Sequence, residues 1–236
     1  MNSPLSRPDR EKVLIREFFG KTTGYFVDVG ANDPHHGSHT WHLESMGWSG
    51  VLIEPQPDLA ARLRETRKAK VFAAACSSPD NAGTTMTLHL AGPMSSLNRE
   101  RMSYGVVPEA VITVPIRTLD DILAEAGAPS PIDFLSLDVE GHELEVLAGF
   151  DIARWRPRLI LMEDQVADHS KHRIMRRAGY RLVRYTDYDG WYVPAEFPAW
   201  FGWREWWVVV RKYYLALPFR KLRNLLRRMR PAGPER

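Results

Sequence analysis

Tyr25-Phe26-Val27-Asp28-Val29-Gly30-Ala31-Asn32-Asp33, followed some twenty residues on by Val51-Leu52-Ile53-Glu54-Pro55, decides the fold. Each stretch begins as a nearly continuous apolar run of strand length, the pattern of a parallel strand covered on both faces. The first run stops at a glycine turn and the second at a lone carboxylate. In an open α/β sheet two such stops lie side by side at the carboxyl edge, where ligands bind. Gly30 lets the backbone turn tightly, and Glu54 can accept two hydrogen bonds from a ribose diol.

Strand-then-helix units recur outward from that pair. Residues 9–19 carry Val13, Leu14, Phe18 and Phe19 at helical spacing and read as a leading helix. Ser38 or Thr40 would cap a short helix ending at Gly47. A strand over 50–53 precedes a helix over 58–68 and a strand over 71–75. Residues 84–90 alternate like an edge or hairpin strand, 92–107 read as loop, and 111–116 as extended chain. Thr118 caps a helix over 119–126. Residues 132–137 form the fourth core strand, closing at Asp138, with a helix over 141–149. Residues 159–162 form the fifth, closing at Glu163-Asp164. A basic helix over 169–178 leads into a hairpin around Asp187-Tyr188-Asp189-Gly190. Five such units and a terminal hairpin indicate a doubly wound sheet with one antiparallel strand.

The 236 residues, 44% hydrophobic and 26% charged, fit one domain plus an appendage. Cys76 is the only cysteine, so no intramolecular disulfide forms. The first ten residues lack the apolar core of a signal peptide, and no run of eighteen apolar residues exists to span a membrane. The expectation is a cytoplasmic protein, soluble or peripheral at the inner membrane face. Residues 204–236 hold ten Lys/Arg against two Glu, leaving 22 basic and 27 acidic side chains in residues 1–203. The basic character belongs to the tail.

A dinucleotide-binding turn needs glycine where Asn32 and His35 stand, because a pyrophosphate must approach the backbone closely. That argues against NAD. The turn suits a nucleoside carrying a charged amino-acid moiety, with Asp28 near its ammonium or sulfonium group.

Four blocks now occur in order: Phe26-Val27-Asp28-Val29-Gly30-Ala31-Asn32, Ile53-Glu54-Pro55, Thr118-Leu119-Asp120 and Asp138-Val139-Glu140-Gly141-His142-Glu143. Together they closely resemble the FkbM family of S-adenosylmethionine-dependent methyltransferases, over roughly residues 25–193. The resemblance implies a Rossmann-like class I methyltransferase fold: α/β, three-layer αβα, with a seven-stranded mostly parallel sheet and a C-terminal antiparallel hairpin. It implies S-adenosylmethionine as cofactor and O-methylation of a sugar or natural-product hydroxyl. By that resemblance Asp28, Gly30 and Asn32 line the methionine end, Glu54 holds the ribose, and Ala75, Cys76 and Ser77 flank the adenine. Cys76 is read as lining, not as a reactive thiol.

Methyl transfer demands an aligned acceptor oxygen, a sink for its proton and exclusion of water. Asp138, Glu163 and Asp164 end adjacent strands about 4.8 Å apart and could converge on Mg²⁺, a hard ion suited to oxygen ligands. This arrangement is similar to that of macrocin-type sugar O-methyltransferases. The other candidate is His142, at the start of a helix, as proton acceptor; catalysis is thus expected from Asp138, His142 and Glu163. His35, His36 and His39 crowd the lip of the first turn and read as contacts to donor or acceptor. Ser95-Ser96-Leu97 sits in a long loop of the kind that carries substrate contacts, with Met94, Met102 and Tyr104 as a lid wall. The substrate set is His35, His36, Ser95 and Ser96.

The tail opens with Trp200, Phe201, Trp203, Trp206 and Trp207. Beyond Pro218, Leu222, Leu225, Leu226 and Met229 form one apolar stripe among arginines. Aromatic residues beside a basic amphipathic helix suit an anionic membrane surface; packing on the body or pairing with a second copy are the alternatives. Nucleic acid is disfavoured, because the aromatics cluster instead of interleaving along a basic groove. The organisation expected is a methyltransferase domain over 1–199, with its helix at 9–19, and an aromatic, basic segment over 200–236. The leading expectation is a methyltransferase acting on a carbohydrate or glycolipid hydroxyl. The alternatives are an NAD-type oxidoreductase and a non-catalytic, membrane-recruited member of the fold.

Overall fold

A computed structural model describes residues 7–20, 22–99, 107–164, 169–186, 188–198, 202–219 and 222. The chain opens with α1 (Arg7–Phe19), β1 (Tyr25–Val29), α2 (Trp41–Ser45), β2 (Ser49–Ile53) and α3 (Pro57–Thr66). There follow β3 (Lys70–Phe72), β4 (Ala75–Cys76), β5 (Thr85–Leu90), β6 (Ala110–Arg117) and α4 (Leu119–Ala126). Next come β7 (Phe134–Leu137), α5 (Glu143–Ala148), α6 (Ile152–Trp155) and β8 (Leu159–Glu163). The last elements are α7 (Ser170–Arg177), β9 (Tyr180–Thr186), β10 (Asp189–Pro194), α8 (Trp203–Val209) and a π-helical turn over Val210–Leu215.

The fold is α/β, with a seven-stranded, mostly parallel sheet in the order β3-β2-β1-β7-β8-β10-β9. Its central strands are apolar on both faces and buried: Phe26, Val27, Leu52, Leu135 and Ile160 have no exposure. Register aligns the strand ends. Val29 lies opposite Ile53 on one side and Leu137 on the other, and Leu137 lies opposite Met162. The next residue on each strand, Gly30, Glu54, Asp138 and Glu163, therefore falls in one row at the carboxyl edge.

The strand expected over 71–75 is two strands. Lys70–Phe72 pairs with β2, while Ala75–Cys76 pairs in parallel with Ile116 and Arg117 of β6. The chain thus leaves one sheet for a three-stranded one, β4-β6-β5, whose inner face is Ala75, Leu88, Val114 and Ile116. Behind it α4 starts where expected: the Thr118 hydroxyl accepts from the Asp121 N–H at 3.0 Å. Leu119, Ile122 and Leu123 of that helix are fully buried, each contributing about 1.5–3 kcal/mol.

Contacts divide the chain into two compact units, Met1–Glu163 and Asp164–Arg236. The division falls at the end of β8. Within the second unit Val209, Tyr213 and Leu217 pack with Tyr185 of β9 in one apolar cluster, so α8 and the hairpin share a core. Apart from Leu222, the expected stripe over 222–229 lies outside the described residues.

Candidate functional site

A cleft of about 910 Å³ opens over the ends of β1, β2 and β7, with Gly30, Glu54 and Asp138 in its lining and Glu163 outside it, within the range of small-molecule sites. Its floor begins at Gly30. The backbone there is left-handed (φ +86), and a Cβ would stand 1.8 Å from the Asp138 carbonyl oxygen. Only glycine lets the β1 turn and the β7 end meet so closely. The Gly30 and Ala31 N–H groups both donate to the Ile53 carbonyl, at 3.0 and 3.1 Å, which binds the turn to the end of β2.

Glu54 stands beside that turn, 3% exposed. Its Oε2 accepts from the Asn32 N–H at 2.8 Å and its Oε1 from the Gln56 N–H at 2.9 Å. Two backbone donors fix the carboxylate plane, and each oxygen keeps a second acceptor site. Burial pushes its pKa up to about 6, against the opposing pull of those two N–H groups. Asn32 reaches Glu54 by adopting left-handed backbone, φ +49.

The loop after β1 is built around a cation that carries no signal in the sequence. Arg67, with no side-chain exposure, pairs Nε with Glu44 Oε2 at 2.8 Å. It also donates to the Pro34 carbonyl at 3.1 Å and to Thr40 Oγ1 at 3.1 Å. The Thr40 hydroxyl in turn donates to Asp28 Oδ2 at 2.7 Å. Asp28 lines the cleft but is already held by this hydroxyl. Ser38, not Thr40, supplies the side-chain cap of α2, accepting from the Trp41 N–H at 3.1 Å.

On the adenine side expected from sequence, Ala75 and Cys76 line the cleft. Burial pushes the Cys76 thiol up to about 12, which keeps it a neutral, apolar part of the wall. Ser77 is placed differently. It is fully buried outside the cleft lining, and its hydroxyl bonds Asn81 Nδ2 and His142 Nε2, both at 3.0 Å. His142 does reach the cleft wall, with Nε2 occupied by Ser77 and Nδ1 3.8 Å from Glu145.

The acidic edge is regrouped. Asp138, Glu140 and Glu163 each present an oxygen within 4.8 Å of the others. The Asp164 carboxylate accepts from the Tyr213 hydroxyl and its carbonyl from the Tyr185 hydroxyl. Burial holds the Tyr213 phenol far above its usual range, so it stays a donor. Of the expected trio, Asp138 and Glu163 meet Glu140 at the edge of the first unit, and the Asp164 groups are engaged by two tyrosines of the second.

His35 and His36 follow an Asx turn in which Asp33 Oδ1 accepts from both their N–H groups at 2.9 Å. His36 lines the cleft with its side chain 95% exposed. His35 instead sets its ring against Trp41, centroids 4.5 Å apart, and is outside the lining. Ser95 lines the cleft, its hydroxyl donating to the Gly92 carbonyl at 2.6 Å. Ser96 is buried outside the cleft lining and donates to the Glu140 carbonyl at 2.7 Å, pinning the loop. Met94 lines the cleft; Met102 and Tyr104 lie outside the described residues.

A second feature unsignalled by the sequence joins three elements. Glu11 of α1 meets His39 Nε2 at 3.1 Å, and His39 Nδ1 meets the Ser136 hydroxyl of β7 at 3.2 Å. All three line the cleft. Helical spacing identifies Glu11 only as an outward polar position, and Ser136 sits within an apolar strand, so neither stands out locally.

A family model described as the methyltransferase FkbM domain matches residues 28–182. The 2-O-methyltransferase NoeI of Sinorhizobium fredii is 30% identical over 151 residues, 58% of this chain and 61% of that protein. The chain thus spans about three-fifths of that relative. Among solved structures, a methyltransferase FkbM from Methylobacillus flagellatus is 17% identical, with a TM-score of 0.46 over 73% of this chain and 44% of that one. A methyltransferase from Geobacter sulfurreducens is 12% identical, with a TM-score of 0.45 over 82% of each chain.

Proposed function

The chain belongs to the FkbM methyltransferase family, and on that premise we propose that it uses S-adenosylmethionine to methylate a hydroxyl of a sugar, glycan or glycolipid precursor. One observation carries the reading of the donor: a buried carboxylate, Glu54, held by the Asn32 and Gln56 N–H groups beside the Gly30 turn. Its remaining acceptor sites fit the two hydroxyls of a ribose, and the apolar Ala75 and Cys76 wall fits an adenine. The donor group fits this cleft, and when bound it supplies an electrophilic methyl carbon on a sulfonium.

The chain's own residues then have three tasks. Asp28, Gly30 and Asn32 hold the amino-acid end of the donor. Asp138, next to Gly30, orients the acceptor hydroxyl. The Ser136–His39–Glu11 line receives its proton: a carboxylate on Nε2 favours the tautomer whose Nδ1 accepts, and Nδ1 faces the Ser136 hydroxyl. The name of the Sinorhizobium relative supports oxygen as the methylated atom. The NAD reading is set aside, since the family is one of methyltransferases and the turn lacks the glycines a pyrophosphate needs.

Calorimetric titration with S-adenosylhomocysteine is the test. Wild-type protein binds it and Glu54→Ala weakens binding about 10- to 100-fold, the loss of charge-assisted hydrogen bonds worth about 1.5–3 kcal/mol. Undiminished affinity of Glu54→Ala, or binding of NAD in place of the nucleoside, overturns the reading.

A further inference from the structure

Seven large apolar side chains stand in solvent within one short stretch of the second unit. Trp203 is 74% exposed, Trp206 62% and Phe219 75%, joined by Trp207, Tyr214, Leu215 and Leu222. The same stretch has already met its packing needs: Val209, Tyr213 and Leu217 are buried against Tyr185, with Leu182 and Val208 around them. A surface helix needs one apolar stripe. This one has two, and the second is rich in tryptophan, the residue favoured at membrane–water boundaries.

Charge identifies what the second face meets. Glu205 is the only carboxylate between Trp203 and Phe219, and Arg184 pairs with it at 3.2 Å. Arg211 is exposed, and the Arg204 guanidinium lies 5.7 Å from the Trp203 ring centroid. Residues 204–236 hold ten Lys/Arg against two Glu. A two-fold contact between copies would press this cationic face against itself. An anionic lipid headgroup layer opposes no such charge, and it takes up aromatic rings at its boundary.

We propose that the α8 face, led by Trp203, Trp206 and Trp207, docks the protein on an anionic bilayer surface with Arg204 and Arg211 toward the lipid phosphates. None of these residues lines the cleft of the first unit, and docking requires no bound donor, so its fate is independent of the methyl-transfer reading.

Flotation of the full chain with vesicles tests this. The protein floats with phosphatidylcholine–phosphatidylglycerol vesicles, is left behind by phosphatidylcholine alone, and is released as salt is raised. A Trp203→Ser/Trp206→Ser/Trp207→Ser variant loses at least about tenfold in partitioning. An Arg204→Glu/Arg211→Glu variant loses the preference for anionic lipid, and both unfold at the wild-type temperature because the substituted side chains are exposed. Absence of flotation, equal flotation with neutral vesicles, or undiminished flotation of the tryptophan variant overturns the proposal. So does a concentration-dependent dimer, seen by light scattering and lost in the tryptophan variant, in protein that does not float.

Discussion

Two groups of residues lining the cleft are held in different ways. Around Glu54 the buried polar groups are pinned from behind: the carboxylate by two backbone N–H groups, Asp28 by the Thr40 hydroxyl, and that hydroxyl by Arg67. His36 and Met94 line the same cleft from loops, with the His36 side chain 95% exposed and Met94 43% exposed. On the proposed function, the pinned residues suit a donor that never changes, and the exposed loop residues an acceptor that sets specificity. Loops over a rigid sheet are where substrate choice is made.

Breaking the pinned wall should have the largest effect. Arg67→Met leaves Glu44 buried without its cation and Thr40 without its donor. Stability should fall by about 3–5 kcal/mol in urea unfolding, with loss of S-adenosylhomocysteine binding. Arg67→Lys should recover little, since one ammonium cannot reach the partners that the planar fork serves.

The next effect sharpens the contrast by pH. Glu54 titrates at about 6 in the fold against 4.5 ordinarily, so between these values the folded chain holds a proton that the unfolded chain has released. Stability should therefore decline, by about 2 kcal/mol, as pH rises through that window. Donor affinity should run the other way, weakening as pH drops below about 6 and the carboxylate is protonated. Glu54→Gln should remove this carboxylate's contribution to both slopes, measured by unfolding and by calorimetry across pH 4.5 to 7. The smallest effect belongs to the rim: His36→Ala should leave stability within about 0.5 kcal/mol and S-adenosylhomocysteine affinity unchanged, altering only the KM for acceptor.

This contrast also explains what could be read from the sequence. β1 and β2 announced themselves because apolar runs ended at Gly30 and Glu54, and register then aligned Asp138 and Glu163 with them. Thr118 gave α4 by a local cap. Features made across long separations left no such trace. Arg67 reads as one more charge at the end of a basic helix, yet it organises residues 34–44. The doublet Glu163-Asp164 reads as one acidic tip, yet Asp164 is taken up by tyrosines of the second unit, and Glu140 joins Asp138 and Glu163 through a left-handed residue that no pattern marks. The strand at 71–75 looked single because nothing local says that Ala75 will pair with Ile116 and not continue beside β2.

Asn32 and Glu140, at φ +49 and +50, occupy a backbone region that suits glycine, at about 1–2 kcal/mol each. One delivers its N–H to Glu54; the other sets a carboxylate beside Asp138 and Glu163. A search for heat-tolerant variants would be drawn to glycine at both positions. At residue 140 it would erase a side chain of the acidic group, and at 32 it would loosen the turn that holds Glu54. On the proposed function, durability and turnover would therefore pull against each other at these two residues.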